Sequence, residues 1–308
     1  MNLLNLFLRK TVRLFLTMFS VTSIVFLILR VIPGDPASVI AGTLGGEGAV
    51  PAIRQQLGLD LPLHQQYFEW LRAVGPLGFG SSLISGEPVL SLILNRFPVT
   101  LLLALMGMGF AFLVAIPLGV LSAVRRWSVW DHLGMVFSQL GIAVPEFWLS
   151  ILLLLLFSVN FRIFPLFGGE TIFHYVLPAL SLGLSRGAVL LKLVRASVIE
   201  ELNKEYIITA RAKGLPEKAV LYRHALRNAL ITVLTVSGIQ LGYMLGGAII
   251  VEQVFALPGV GRLLLTAIFQ RDFPVIQGGA VFVAMVFTLV NFTTDILYNL
   301  VNPRIRMR

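Results

Sequence analysis

The sequence predicts an all-α, polytopic membrane protein with six transmembrane helices. Three observations carry that fold class. Of 308 residues, 57% are hydrophobic and 13% charged, with a mean hydropathy of +0.88, which is too apolar for a water-soluble core. Six stretches nearly free of Asp, Glu, Lys and Arg approach the roughly 20 residues that a bilayer core of about 30 Å demands. The Lys and Arg residues divide unequally between the loops that alternate with those stretches.

The first span is predicted over 14–32. It follows Arg9, Lys10 and Arg13 as a signal peptide would, but Leu29-Arg30-Val31 offers no small-residue cleavage site, so it reads as an uncleaved helix. An external loop, 33–96, comes next. Within it Leu63, Tyr67, Trp70, Leu71 and Val74 recur at helical spacing, a face expected against the pore mouth, a docked partner or the loop's own helix ends. Ile32-Pro-Gly-Asp-Pro36 and Gly75-Pro-Leu-Gly-Phe-Gly80 flank it with turn chemistry. Spans over 97–124 and 133–161 follow, the second interrupted at Pro145-Glu146, where a helix should break. The fourth, 171–191, reaches full length only by taking in Arg186. Spans over 228–251 and 273–299 complete the set, and a cytoplasmic loop, 192–227, separates the fourth from the fifth.

Six spans put both termini on one side. Sixteen of the 24 Lys and Arg residues fall on that side, from Arg9, Lys10 and Arg13 through Arg125, Arg126 and the 192–227 loop to Arg304, Arg306 and Arg308. Six fall opposite: Arg54, Arg72, Arg96, Arg162, Arg262 and Arg271. The termini are therefore expected in the cytoplasm. Much of the +9 net charge is then a topology signal, and a nucleic-acid reading is unnecessary.

Catalytic motifs are missing. With no cysteine and with histidines at 64, 132, 174 and 224 only, there is no local metal-ligand spacing and no thiol nucleophile. No lysine follows a glycine, so a phosphate-binding loop is excluded; Gly107-Met108-Gly109 and Gly259-Val260-Gly261 are fragments better suited to close helix packing. Ionisable residues within or beside the spans are Glu146, a paired structural group or a point on an ion pathway; Arg186, close enough to Lys192 to extend toward the cytoplasmic interface; and Asp295, an interfacial or paired acid rather than a proton carrier. Glu252 closes the fifth span and Arg271-Asp272 precede the sixth, placing them as a possible gate or as interfacial anchors.

The cytoplasmic loop carries more information. Glu205 to Ala212 reads as a helix ending through Lys213 at Gly214, a residue suited to the left-handed position after a helix, with Leu215 and Pro216 turning into a second helix. Ala210 and Gly214, four apart, form a face without bulk that a partner's surface can approach, rimmed by Arg211, Lys213 and Lys218. Such a helix fits a docking element; a merely solvated topogenic loop has no use for that placement.

Thr209-Ala-Arg-Ala-Lys-Gly-Leu215 together with His224-Ala-Leu-Arg-Asn-Ala229 resembles the coupling loop of permease subunits of bacterial ATP-binding-cassette importers, specifically the dipeptide, oligopeptide and nickel group. The likeness extends in order along nearly the whole chain, through Ile32-Pro-Gly-Asp-Pro36, Leu57-Gly-Leu-Asp60, Pro117-Leu-Gly119, Pro145 with Phe147-Trp148, Gly246-Gly247 with Val251-Glu252, Pro258-Gly-Val-Gly261, Arg271-Asp272 and Pro303-Arg-Ile-Arg306. Thr232 departs from it, standing where the family usually has proline. The resemblance implies one type I importer permease domain over 1–308, the first of two sister permeases, in the bacterial inner membrane. It further implies a pore shared with the sister subunit, two ATPase subunits carrying ATP and Mg, an extracytoplasmic binding protein delivering di- or oligopeptides, glutathione, a nickel chelate or an opine metallophore, and no cofactor or catalysis on this chain. Glu205, Ala210, Arg211, Ala212, Lys213, Gly214, Leu215, His224, Leu226, Arg227 and Asn228 are then the ATPase-docking residues. The rival reading is a secondary transporter with a proton site at Glu146 or Asp295; a membrane-embedded enzyme lacks any visible nucleophile and base.

Overall fold

The computed structural model describes residues 3–31, 37–38, 41–42, 46, 48, 50–56, 58–74 and 78–301. Its elements are α1 (Leu3–Val31), α2 (Val50–Gln56), α3 (Leu63–Val74), α4 (Val89–Val124), α5 (Val129–Ala143) and α6 (Glu146–Leu153), which a π-helical stretch, Leu154–Asn160, prolongs. Then come α7 (Phe173–Leu202), α8 (Glu205–Ala212), α9 (Glu217–Val254, π-helical over Val220–Ala225), α10 (Val260–Gln270) and α11 (Phe273–Val301). Among the described residues there is no named strand, only a bridge between Ser81 and Pro88. The all-α class stands.

All six predicted segments lie on helices. By length and composition α4, α7, α9 and the Phe273–Thr294 part of α11 are sufficient to cross a membrane, which makes four. α5 and α6 satisfy the same test only together and are bent by 103°, making a possible fifth, while α1 offers a shorter apolar stretch, Leu14–Ile28. The bend has a local cause. Val144 is extended (φ −79°, ψ 123°) ahead of Pro145, which begins α6 as its N-cap; a residue before proline avoids the helical region.

Several helices outrun the predicted spans, α1 from Leu3 and α9 from Glu217 among them, because a charge ends a membrane span without ending a helix. α4 starts at Val89 rather than 97 and carries Arg96 inside it. α7 runs to Leu202 rather than 191, with Lys192, Arg195, Glu200 and Glu201 on a continuing helix. α10, between the fifth and sixth predicted spans, had no counterpart in that reading.

The chain forms two compact units. One draws on Asn2–Thr100 and Pro258–Thr288. Its core joins Phe26 of α1, Trp70 of α3, Phe79, Ile93 of α4, Leu263 and Leu264 of α10 and Phe282 of α11. Tyr67 meets Phe26 edge-on at 5.3 Å between centroids and its hydroxyl lies 2.6 Å from Ser23 Oγ. Part of the apolar face read in the external loop thus has an occupant in its own unit, since Trp70 is buried and Tyr67 and Val74 pack on the same core, while Leu63 stays exposed. The second unit draws on Leu101–Leu257 and Leu289–Arg308, with α7 at its centre. Small residues let the helices approach: an added Cβ at Gly141 would stand 2.6 Å from Ala188 Cβ, and one at Gly183 2.7 Å from the Gly107 carbonyl. Backbones this close are the means by which membrane helices pack without a hydrophobic drive between them. Ser138 donates to the Ala188 carbonyl at 2.5 Å and Ser150 to Ser181 at 3.0 Å.

Candidate functional site

The cytoplasmic knob between α7 and α9 has a small core of its own. Ile207 and Ala210 of α8 close on Val220 and Ala225, with Leu202 against them. Around that core Tyr206 joins three helices. Its hydroxyl donates to Glu201 Oε2 of α7 at 2.5 Å and accepts from Asn228 Nδ2 of α9 at 3.0 Å. Burial, followed by the bond to the Glu201 carboxylate, raises the Tyr206 phenol above its ordinary range. Lys204 donates to Glu201 at 2.6 Å, and that contact raises the ammonium in turn.

The exit from α8 is left-handed. Gly214 has φ +77°, its N–H donates to the Arg211 carbonyl at 2.9 Å, and Leu215 N–H reaches back to the Ala210 carbonyl at 3.4 Å. An added Cβ at Gly214 would meet nothing within 4 Å, so the glycine is required by torsion and leaves open space outside. Arg211 grips Glu217 across the turn through Nε at 2.8 Å and a second nitrogen at 3.3 Å. Residues 211–218 are all exposed, and Ile208, Leu215 and Tyr222 present exposed apolar side chains beside the basic ones.

One expectation needs correction. Ala210 was read with Gly214 as an open, bulk-free face, but it is 7% exposed and belongs to the knob's core. At its place on α8 it shares the side of Ile207, three residues earlier, and its small size lets α8 close on Val220. Of the other residues expected on the loop, Glu205, Arg211, Ala212, Lys213, Gly214, Leu215, Arg227 and Asn228 are exposed, and His224 and Leu226 are half-buried. Arg223, His224, Arg227 and Asn228, with Leu230, Ile231 and Leu234, line a cleft of about 540 Å³.

Two of the charges read within the spans, Glu146 and Arg186, are paired with each other. Arg186 was expected to extend toward the cytoplasmic interface; instead its guanidinium reaches Glu146 Oε1 at 2.5 Å, the first residue of α6 after the proline bend. Gly247 of α9 lies against this carboxylate, so a Cβ there would collide with Glu146 Oε2. A lone charge at mid-membrane costs at least ~2.5 kcal/mol, and mutual pairing removes much of it. Asp131 and Arg195 form a second pair, two parallel bonds of 2.6 and 2.8 Å, with Trp127 N–H donating to the same carboxylate at 3.0 Å. The side chain of Asp295 lies outside the described residues.

The presumed gate residues fall in different units. Glu252 is fully buried near the end of α9, where its carbonyl accepts from Leu257 N–H at 2.9 Å. Asp272, 3% exposed, accepts from Ser82 Oγ at 2.5 Å and Leu83 N–H at 3.2 Å, and so fastens the turn before α4 to the start of α11. Arg271 closes α10 in the left-handed conformation (φ 55°). Neither Ser82 nor Asp131 stood out in the sequence, since their partners lie far along the chain.

Two family descriptions match the chain: "Binding-protein-dependent transport system inner membrane component" over residues 115–307, and the N-terminal membrane component of such systems over 3–104. The chain belongs to this family. It is a multi-pass permease of the inner membrane, an importer component of the ATP-binding-cassette class. The permease is 41% identical to "Glutathione transport system permease protein GsiC" of Salmonella typhimurium (strain LT2) and 40% identical to that of Escherichia coli (strain K12), over 99% of this chain and 100% of each relative. Among solved structures it is similar to an inward-facing MetNI methionine ABC transporter chain, with TM-score 0.58 and 17% identity over 68% of this chain and 96% of that one. That likeness carries the type I permease fold. Of the motifs behind the family resemblance, Ile32–Pro36, Leu57 and Pro303–Arg306 lie outside the described residues, as do residues 75–77 of the second external turn.

Proposed function

We propose that this permease and a sister permease form the pore of an ATP-driven importer of glutathione or similar short peptides. An extracytoplasmic binding protein delivers the solute, and separate subunits hydrolyse ATP. The observation that carries the solute class is the full-length likeness to permeases described as glutathione transporters. Six crossings with both termini in the cytoplasm agree with the distribution of Lys and Arg. The knob from Asn203 to Asn228 is then the ATPase-docking element: its exposed apolar and basic groups stand around a rigid left-handed turn, and its Tyr206 bonds tie it to both α7 and α9. Nucleotide-driven movement of an ATPase would pass through those bonds to two membrane helices, a two-state element biased by ligand on another subunit.

The test is uptake of labelled glutathione and dipeptides by cells carrying the complete system. ATP depletion is expected to abolish uptake and a protonophore to leave it unchanged. Sensitivity to the protonophore alone would favour the secondary-transporter reading. Uptake of neither solute would discard the solute class.

A further inference from the structure

The Glu146–Arg186 ion pair has features that simple neutralisation does not require. Arg186 sits near the middle of α7, Glu146 at the first turn of α6, and neither side chain is fully covered: 22% and 17% remain exposed. The Arg186 guanidinium carbon stands 5.8 Å from the centroid of the Tyr243 ring. Tyr243 belongs to an exposed stripe of α9, with Ile239, Gly246 and Ile250 at helical spacing. A guanidinium beside the middle of an exposed helix face is not compatible with lipid against that face. A polar path, or polar groups of the sister permease, must border it. The pair is also incompletely used: buried Arg186 Nε has no hydrogen-bond partner among the described residues, although a guanidinium offers five donors in a fork that suits carboxylates.

We propose that Arg186, Glu146 and Tyr243 form a receptor on the solute path for a zwitterionic, peptide-like molecule. Its carboxylate takes Arg186, its ammonium takes Glu146, and Tyr243 flanks the site. The protein's own pair keeps both charges satisfied when the path is empty and opens only when a solute brings a complementary pair, so that a singly charged or neutral molecule leaves one buried charge unmatched. Gly247 contributes by having no side chain, which leaves the Glu146 carboxylate its position against α9. This inference deepens the proposed import of short peptides and rests on that reading for its solute class.

The chain has no cysteine, and a Cβ at Gly246 would meet nothing within 4 Å, so Gly246→Cys supplies one thiol on this face at little structural cost. The complete transporter in membrane vesicles is treated with a sulfonated, membrane-impermeant maleimide, and labelling of this chain is timed with alanyl-alanine, N-acetyl-alanyl-alanine or alanyl-alaninamide present. Labelling is expected, slowed about threefold by alanyl-alanine when it stands at roughly twice its Kd, and slowed little by either analogue lacking one charge. Glu146→Gln/Arg186→Gln in the Gly246→Cys background, which leaves no unpaired buried charge, should still label and lose the protection. Arg186→Gln alone should also lose it. A thiol that labels in no nucleotide state overturns the proposal, because the face is then covered. Equal protection by all three peptides, no protection by alanyl-alanine, or protection that survives the double substitution overturns it as well. Labelling needs neither uptake nor ATP hydrolysis, so import of glutathione or peptides stands or falls separately on the uptake assay.

Discussion

Gly214 and Ala210 are four residues apart on one short helix, and small for different reasons. Gly214 is small because its torsion demands it: at φ +77° a β-carbon costs roughly 1–2 kcal/mol. Among the described residues no atom stands where that carbon would go, so the strain is local. Gly214→Asp should therefore leave membrane abundance near normal while co-purification of the ATPases and uptake collapse, since bulk and a negative charge are added where a partner must approach. Normal uptake at normal abundance would remove the docking role. Ala210 is small because it is buried between Ile207 and Val220. A carboxylate placed there lacks a partner and costs several kcal/mol, so Ala210→Asp is expected to lower abundance itself, visible by immunoblot of membranes before any assay of docking. The two aspartate variants thus separate a turn from a core position.

Among the helices, α7 holds neighbouring elements by two charged side chains near two different depths. Arg195 holds Asp131 and through it the turn at Trp127 and the start of α5, while Arg186 holds the start of α6. Asp131 is 4% exposed and Arg195 21%. Removing one member of such a pair costs toward the lower end of ~3–5 kcal/mol, the partial exposure of Arg195 reducing it. Asp131→Asn should lower the thermal midpoint of the purified permease complex by several degrees, and the double substitution Asp131→Asn/Arg195→Gln should lower it by less than the sum of the singles. Additive losses would mean that the two residues act independently.

Over the whole chain, the legible part of the sequence was what hydropathy and local backbone preference write down. Apolar runs located every predicted span on helix, Pro145 located the bend, and Gly214 the turn. What was not legible depended on distance along the chain. Lys192 ended the fourth span in the reading, yet α7 continues to Leu202 because a helix leaving the membrane simply becomes amphipathic. Ala210 looked open because its partners, Val220 and Ala225, lie on the next segment. The hydroxyl of Tyr206, unremarked beside Glu205, proved to be the link between α7 and α9. The ion pair at the bend also sets a schedule for biosynthesis. Glu146 leaves the ribosome about 40 residues before Arg186, an interval of roughly 2 to 8 seconds at about 5–20 residues per second. Until then the third segment carries a carboxylate with no counterion and two short helices set at 103°, neither fit to settle in lipid alone. Stalled nascent chains that expose only 133–161 should stay crosslinked to the insertion machinery through a photoreactive group at Trp148, and chains that also expose 171–202 should be released. Equal release of both lengths would show that the third segment partitions without waiting for its cation.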